Sequence, residues 1–239
     1  MSSGRILVVQ HEDQCPPAWF GEWLIAAGHD LDVRRPYAGD DLPIGLSAHD
    51  GLLVLGGTMN AHDDATCPWL TDVKGLVRNA AGNDVPTLGI CLGHQLITVA
   101  LGGSVVPNPR GQQLGLTATG WHPEVDEDPL FREVGRPPRA VQWNSDIVEQ
   151  LPGGAQALAS TPDGDVQVAR FTSTIWGVQM HPEADEHVVA PWAAHDRPLH
   201  PGGVVDAAVA AVTAARDELA LSWRPLAEAF GRRAAVSRD

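Results

Sequence analysis

Short apolar runs, rich in Val, Ile and Leu, punctuate the first half of the chain at 6–9, 31–33, 52–55, 85–90 and 104–106. Between them lie 19–27, 69–81 and 92–101, which have helical character. Strand alternating with helix predicts an α/β fold: an open, mostly parallel, doubly wound sheet with helices on both faces. The unbroken run Leu52-Leu53-Val54-Leu55 fits a strand covered on both sides. From about 112 to 171 the pattern changes to a small antiparallel β excursion. Runs at 114–119, 140–143, 155–159 and 166–171 follow one another, with turn signals at Pro152-Gly153-Gly154 and Pro162-Asp163-Gly164. The run 173–178 returns to the main sheet. The Ala-rich stretch 203–230 predicts a helical tail, kinked or broken at Pro225. No repeat or low-complexity linker divides the 239 residues. One domain is expected over 1–239, with its core at about 5–190 and the tail at about 203–235.

Composition narrows the function classes. A formal net charge of -14 disfavours a nucleic-acid surface, which needs Lys and Arg to replace counterions. No apolar run approaches the length of a membrane span. Residues 6–9 are too short and too strand-like for a signal peptide, so a cytoplasmic protein is expected. The three cysteines, Cys15, Cys67 and Cys91, have no metal-ligand spacing and no plausible disulfide framework. In a reducing compartment that leaves at least one free thiol to explain.

One of them sits in Gly89-Ile90-Cys91-Leu92-Gly93-His94-Gln95, after an apolar strand and before a helix. This is the arrangement of a nucleophile elbow, with glycines permitting a sharp strand-to-helix turn. A thiol there stands at a helix N-terminus, whose partial positive charge favours thiolate. A lone Cys after a buried strand is more often a small core residue, but a core Cys has no need of Gly on both sides. A nucleophilic thiol also wants a base and a group to orient it. His181-Pro182-Glu183 follows the strand at 173–178, which puts His181 at that strand's carboxyl end, the edge where open parallel sheets build their sites. Other polar groups read as incidental. His195 and His200 fall in a solvated Pro-rich loop, His122 and Glu124 in a loop, and Asp40-Asp41 and Asp63-Asp64 as solvated charge. Cys15 and Cys67 read as structural or incidental. His181, Glu183, Glu186 and His187 match no zinc spacing, so no metal is expected.

The elbow and the His-Pro-Glu together resemble the class I, triad-type glutamine amidotransferases, over residues from about 5 to 190. Leu55-Gly56-Gly57-Thr58-Met59 looks like that family's oxyanion loop. The segment 61–70, Trp143–Asp146 and the Trp-Gly-Val-Gln before His181 are similar to stand-alone members related to the amidotransferase domain of GMP synthase. The resemblance implies a flavodoxin-like amidotransferase fold and a site for glutamine, with no cofactor. Cys91 would attack the side-chain amide, His181 would activate the thiol and protonate the leaving ammonia, and Glu183 would orient His181. The backbone N–H groups of Gly57 and Leu92 would hold the oxyanion. Gln95 and the backbone around Met59, Trp143, Ser145 and Asp146 would hold the substrate. The family often has His where Asn144 stands, and Glu where Gln113 stands. These departures bear on the acceptor or partner rather than on the triad.

No acceptor-activating domain and no ATP-binding glycine loop is visible, so the ammonia user is expected to be either a separate ammonia-accepting synthetase subunit or absent. Two rivals stay open: a γ-glutamyl peptidase or hydrolase that needs no partner, and a non-catalytic regulator. A family that places His directly after its nucleophile is disfavoured by Leu92.

Overall fold

The computed structural model describes residues 3–236; the ends of the expected 1–239 domain, 1–2 and 237–239, lie outside them. An eight-stranded sheet forms the centre. Its first five strands in spatial order are β2 (Asp30–Arg34), β1 (Arg5–Val9), β3 (Gly51–Val54), β4 (Thr87–Ile90) and β12 (Ile175–Val178), all parallel. The antiparallel strands β11 (Val166–Arg170), β10 (Gln156–Ser160) and β7 (Gly120–Trp121) complete it. The expected mostly parallel α/β sheet is therefore present. β3, β4 and β12 are buried along their whole length, as unbroken apolar runs require.

Helices cover both faces. α1 (Ala18–Ala26) and α6 (Arg216–Val236) pack on one, burying Phe20, Trp223 and Phe230. α2 (Trp69–Gly82) and α3 (Leu92–Ala100) pack on the other. In α2 the buried Leu70, Val73, Leu76, Val77 and Ala80 recur at helical spacing and form one apolar stripe. Fully burying side chains of this size contributes roughly 1.5–3 kcal/mol each, enough to dock each helix firmly.

The second half departs from the sequence pattern in four ways. First, β10 and β11 extend the main sheet rather than belonging to a separate excursion. Second, the antiparallel excursion consists of two small pairs: β6 (Gln113–Ala118) with β8 (Arg139–Asn144), and β5 (Ser104–Pro107) with β9 (Asp146–Gln150). Hence 104–106 is not a strand of the parallel sheet. Third, residues 186–196 form α4 (Glu186–Asp196) where a Pro-rich loop was expected around His195. The Asp185 carboxylate accepts from the His187 and Val188 N–H groups at 2.9 and 3.1 Å, an N-cap that outweighs Pro191 inside the helix. Fourth, the tail is two helices, α5 (Val204–Ala214) and α6, and α6 runs through Pro225 unbroken. The carbonyl freed by that proline belongs to Leu221, which is 80% exposed, so water can satisfy it.

Candidate active site

Three neighbouring parallel strands deliver the site. Val54 of β3 pairs with Gly89 of β4, and Ile90 of β4 pairs with Val178 of β12. The chain leaving each carboxyl end therefore reaches one edge: the Gly56-Gly57 loop after β3, Cys91 after β4, and Gln179 to Glu183 after β12. Backbone bonds lock this edge. Cys91 N–H donates to Val178 at 2.8 Å, and His181 N–H donates to Val141 at 2.8 Å.

Cys91 caps α3 with φ 52° and ψ -107°, a conformation L residues rarely adopt. Such a residue costs on the order of 1–3 kcal/mol and persists only when its surroundings over-determine it. Here the two glycines do so by packing, since neither has a positive φ. A Cβ on Gly89 would lie 2.5 Å from the Gly93 carbonyl carbon, and one on Gly93 would lie 2.1 Å from the Val54 carbonyl oxygen. The glycines thus let α3 press onto β3 and β4, and that contact holds Cys91 in its strained turn.

The His181 Nδ1 and Glu183 Oε1 atoms are 2.7 Å apart, with both residues at most 3% exposed. Cys91 lies beside the ring, which packs on Trp192 of α4 with centroids 4.6 Å apart. Burial alone would lower this imidazole's pKa, but the neighbouring Glu183 carboxylate and Cys91 outweigh it and push His181 up to about 10. Cys91 Sγ accepts a further bond from Gln179 Nε2 at 3.6 Å. Gln179 Oε1 in turn accepts from Gln95 Nε2 at 3.2 Å, and Gln95 Nε2 also reaches the Asp146 carbonyl at 3.1 Å. Gln179, fully buried, is a site residue to which the sequence assigned no role, although it stands in the quoted Trp-Gly-Val-Gln.

The thiol opens into a cavity of about 640 Å³. Gly57, Met59, Cys91 and Gln95 line one part of it, and Trp143, Ser145, Asp146 and His181 another. Leu92 and Glu183 stand behind that surface. Gly57 is packed between His11, Leu92 and Met59; a Cβ there would come within 3.1 Å of each. Neither the Gly57 nor the Leu92 N–H donates to another group among the described residues. Asp146 accepts from Asn60 Nδ2 at 2.6 Å, and burial raises its pKa above the usual carboxylate range. Among the described residues, no group of three or more His, Cys, Asp or Glu side chains could hold a metal ion.

Several residues read as incidental prove engaged. Asp64 binds Lys74 Nζ at 2.6 Å, which lowers its carboxyl pKa, so it is not merely solvated. Asp63 accepts from the Asn60 N–H at 2.8 Å. Cys15 lines the cavity and donates to Glu12 Oε1 at 3.2 Å; burial, then Glu12, push its thiol pKa far up. His195 lies in the last turn of α4, on the cavity rim, and His200 bonds Gln112 at 2.7 Å. The two departures from the resembled pattern, Gln113 and Asn144, are register partners across β6 and β8.

The family model for class-I glutamine amidotransferases matches residues 22–189. The chain belongs to this family. A subunit of the glutamine-hydrolyzing GMP synthase of Methanosarcina barkeri is 31% identical over 189 residues, covering 77% of this chain and 89% of that protein. The glutamine amidotransferase-like protein YfeJ of Salmonella typhimurium is 28% identical over 186 residues, 75% of each chain. Among solved structures, a glutamine amidotransferase from Thermotoga maritima superimposes with a TM-score of 0.83 at 22% identity, over 95% of this chain and 97% of that one. That likeness shows the amidotransferase fold. No helix among the described residues is long and apolar enough to cross a membrane.

Proposed function

We propose that this amidotransferase family member, acting as one domain, hydrolyses the side-chain amide of glutamine through Cys91, His181 and Glu183. The buried Cys91–His181–Glu183 alignment at the carboxyl edge of the sheet carries the reading. With the proton held on His181, the Cys91 sulfur attacks the amide carbon while the Gly57 and Leu92 N–H groups receive the developing oxyanion. Each such donor is typically worth roughly 10²–10³ in rate. His181 then protonates the departing nitrogen, and ammonia leaves behind a thioester on Cys91. Water activated by the now neutral His181 releases glutamate. Asp146 and the backbone of Met59, Trp143 and Ser145 form the wall for the substrate's α-amino and α-carboxyl groups. Similarity to one subunit of a GMP synthase supports delivery of the ammonia to a separate synthetase subunit.

The test is glutamate release from glutamine by the wild type and by Cys91→Ala, each alone and with an extract of its own source cells. Release that depends on Cys91 supports the reading. Absence of release in both settings, or release that survives Cys91→Ala, sinks it.

A further inference from the structure

The loop that carries Gly57 has almost nothing of its own to hold it. Residues 56–59 belong to no helix or strand, and Gly56 and Gly57 have no side chain to anchor. Among the described residues, no N–H or carbonyl of these four takes part in a backbone–backbone hydrogen bond. Yet the loop stands against the reacting groups. A Cβ on Gly56 would lie 3.1 Å from His181 Cε1 and 3.6 Å from Cys91 Cβ. A donor aimed at a developing oxyanion acts only if its direction is set before the reaction. One side chain supplies the hold. Glu12 reaches across from the loop after β1; its Oε1 accepts from the Thr58 N–H at 3.1 Å, and its Oε2 accepts from the Thr58 hydroxyl at 2.8 Å. Among the described residues these are the only hydrogen bonds that 56–59 make. A carboxylate suits the task, because it has lone pairs for several donors. Oε1 takes the Cys15 thiol as well, at 3.2 Å.

The support is itself firmly placed. The Cys15 N–H closes a turn on the Glu12 carbonyl at 3.3 Å, and Gln10 Nε2 donates to the same carbonyl at 2.8 Å. Trp192 Nε1 donates to the Gln14 carbonyl at 2.9 Å, which ties this turn to α4. His11, just before Glu12, is fully buried and packs on the oxyanion loop; a Cβ on Gly57 would lie 3.0 Å from its Cβ. Glu12 therefore fastens Thr58 to the frame of the sheet. With the Thr58 N–H fixed, the planar Gly57–Thr58 peptide is fixed too. Only the φ and ψ of Gly57 then separate that plane from the Gly57 N–H, and Gly57 is hemmed in by His11, Leu92 and Met59.

We propose that Glu12 is a positioning residue of this site. It touches no reacting atom; it holds the loop so that the Gly57 N–H is aimed at the oxyanion before glutamine arrives. The inference rests on the Cys91 chemistry proposed above. Without this clasp, glutamine still binds, but an interaction made only in the transition state is weakened, so kcat falls while KM holds. A carboxylate lining the cavity could instead meet the substrate's ammonium directly. That role has the opposite signature, a raised KM at unchanged kcat.

The experiment measures glutamate release from glutamine by the wild type, Glu12→Ala, Glu12→Gln, Thr58→Val and the Glu12→Ala/Thr58→Val double variant. It uses the setting, alone or with cell extract, that supports wild-type release, with Cys91→Ala as the blank. Alkylation of Cys91 by iodoacetamide, read by peptide mapping, and thermal melts run beside it. In Glu12→Ala, kcat should fall on the order of 10²-fold with KM changed by less than about twofold, the size of a mis-set oxyanion donor. A Gln side chain still accepts the N–H and donates to the hydroxyl oxygen, so Glu12→Gln should recover kcat to within about tenfold of the wild type. Thr58→Val keeps the N–H and should lose about threefold to tenfold in kcat, and it should add nothing to Glu12→Ala. Alkylation by iodoacetamide develops no oxyanion and should keep its wild-type rate. Thr58 is exposed, so melting should shift little. Wild-type kcat in Glu12→Ala, or a raised KM at unchanged kcat, overturns the inference and leaves glutamine hydrolysis standing. A fall in kcat matched by slower alkylation also overturns it, because the defect then lies in the thiol. If Glu12→Ala does not fold, wild-type kcat in Thr58→Val overturns the inference, and the stated loss at unchanged KM and alkylation rate upholds it. A wild type that releases no glutamate in either setting overturns both readings.

Discussion

Replacing Glu183 by Gln keeps the size and an acceptor for His181 Nδ1 but removes the charge 2.7 Å away. In the native site His181 is pushed from 6.5 up to about 10 although burial opposes it. That is about 5 kcal/mol in favour of the imidazolium, at about 1.4 kcal/mol per unit. Loss of one close opposite charge should lower the pKa by roughly 1–3 units. If the protonated ring is needed to release the leaving nitrogen, the alkaline limb of kcat/KM falls from near pH 10 in the wild type to roughly pH 7–9 in the variant. The variant also leaves an amide N–H₂ beside Glu183's unpartnered Oε2 position, at a cost of about 1–3 kcal/mol, so thermal melts accompany the kinetics. The sign of the stability effect is independent of activity. A raised folded-state pKa stabilises fully below the unfolded value of 6.5 and ceases to do so as pH rises through about 10. Wild-type stability should therefore decline across that window, and Glu183→Gln should decline less. An alkaline limb that stays put in Glu183→Gln, with the fold intact, refutes the assigned charge coupling.

Three further perturbations follow from the packing. Gly93→Ala places a methyl group about 2.1 Å from the Val54 carbonyl oxygen, and urea titration should show a loss of several kcal/mol or no folded protein; wild-type stability would contradict the account of the elbow. His11 and His94 are fully buried, and burial lowers their pKa values to about 4 and about 3. Their folded forms resist protonation, so stability should fall as pH drops from about 6.5 toward 4, by up to roughly 1.4 kcal/mol per pH unit for each ring; His94→Leu should flatten that slope by about half, as read by denaturant midpoints. Gln179→Leu removes the N–H donor to Cys91 Sγ, and the rate of Cys91 alkylation by iodoacetamide at pH 7 should fall about tenfold, matching one hydrogen bond of about 1.4 kcal/mol; an unchanged rate would show that the contact does not act on the sulfur.

The parallel half of the fold was legible because its central strands β1, β3, β4 and β12 are short and mostly apolar, and α2 carries a clear apolar stripe. Even the departures at Gln113 and Asn144 were visible, though not that they face each other. What escaped reading depends on contacts far apart in sequence. β10 and β11 look alike whether they join the main sheet or stand apart, since strand pairing leaves no mark in periodicity. α4 was hidden by Pro191 within it and by Pro198 and Pro201 just beyond it, although the Asp185 cap was there to be seen. That mattered for the site, because α4 brings Trp192 against His181 and Asp196 into the cavity. The elbow glycines are there because a Cβ would crowd the turn, as the motif implies; what the sequence did not show is which neighbours press on them, and that Cys91 itself bears the strained conformation.

The central claim is that Cys91 is the nucleophile of a site shaped for glutamine's side chain. The direct measurement is labelling with a chloroketone analogue of glutamine, read by intact mass and peptide mapping. The account predicts one adduct, at Cys91, suppressed by excess glutamine and absent after His181→Ala. Failure to label, labelling at Cys15 or Cys67, or labelling that glutamine does not suppress would contradict it.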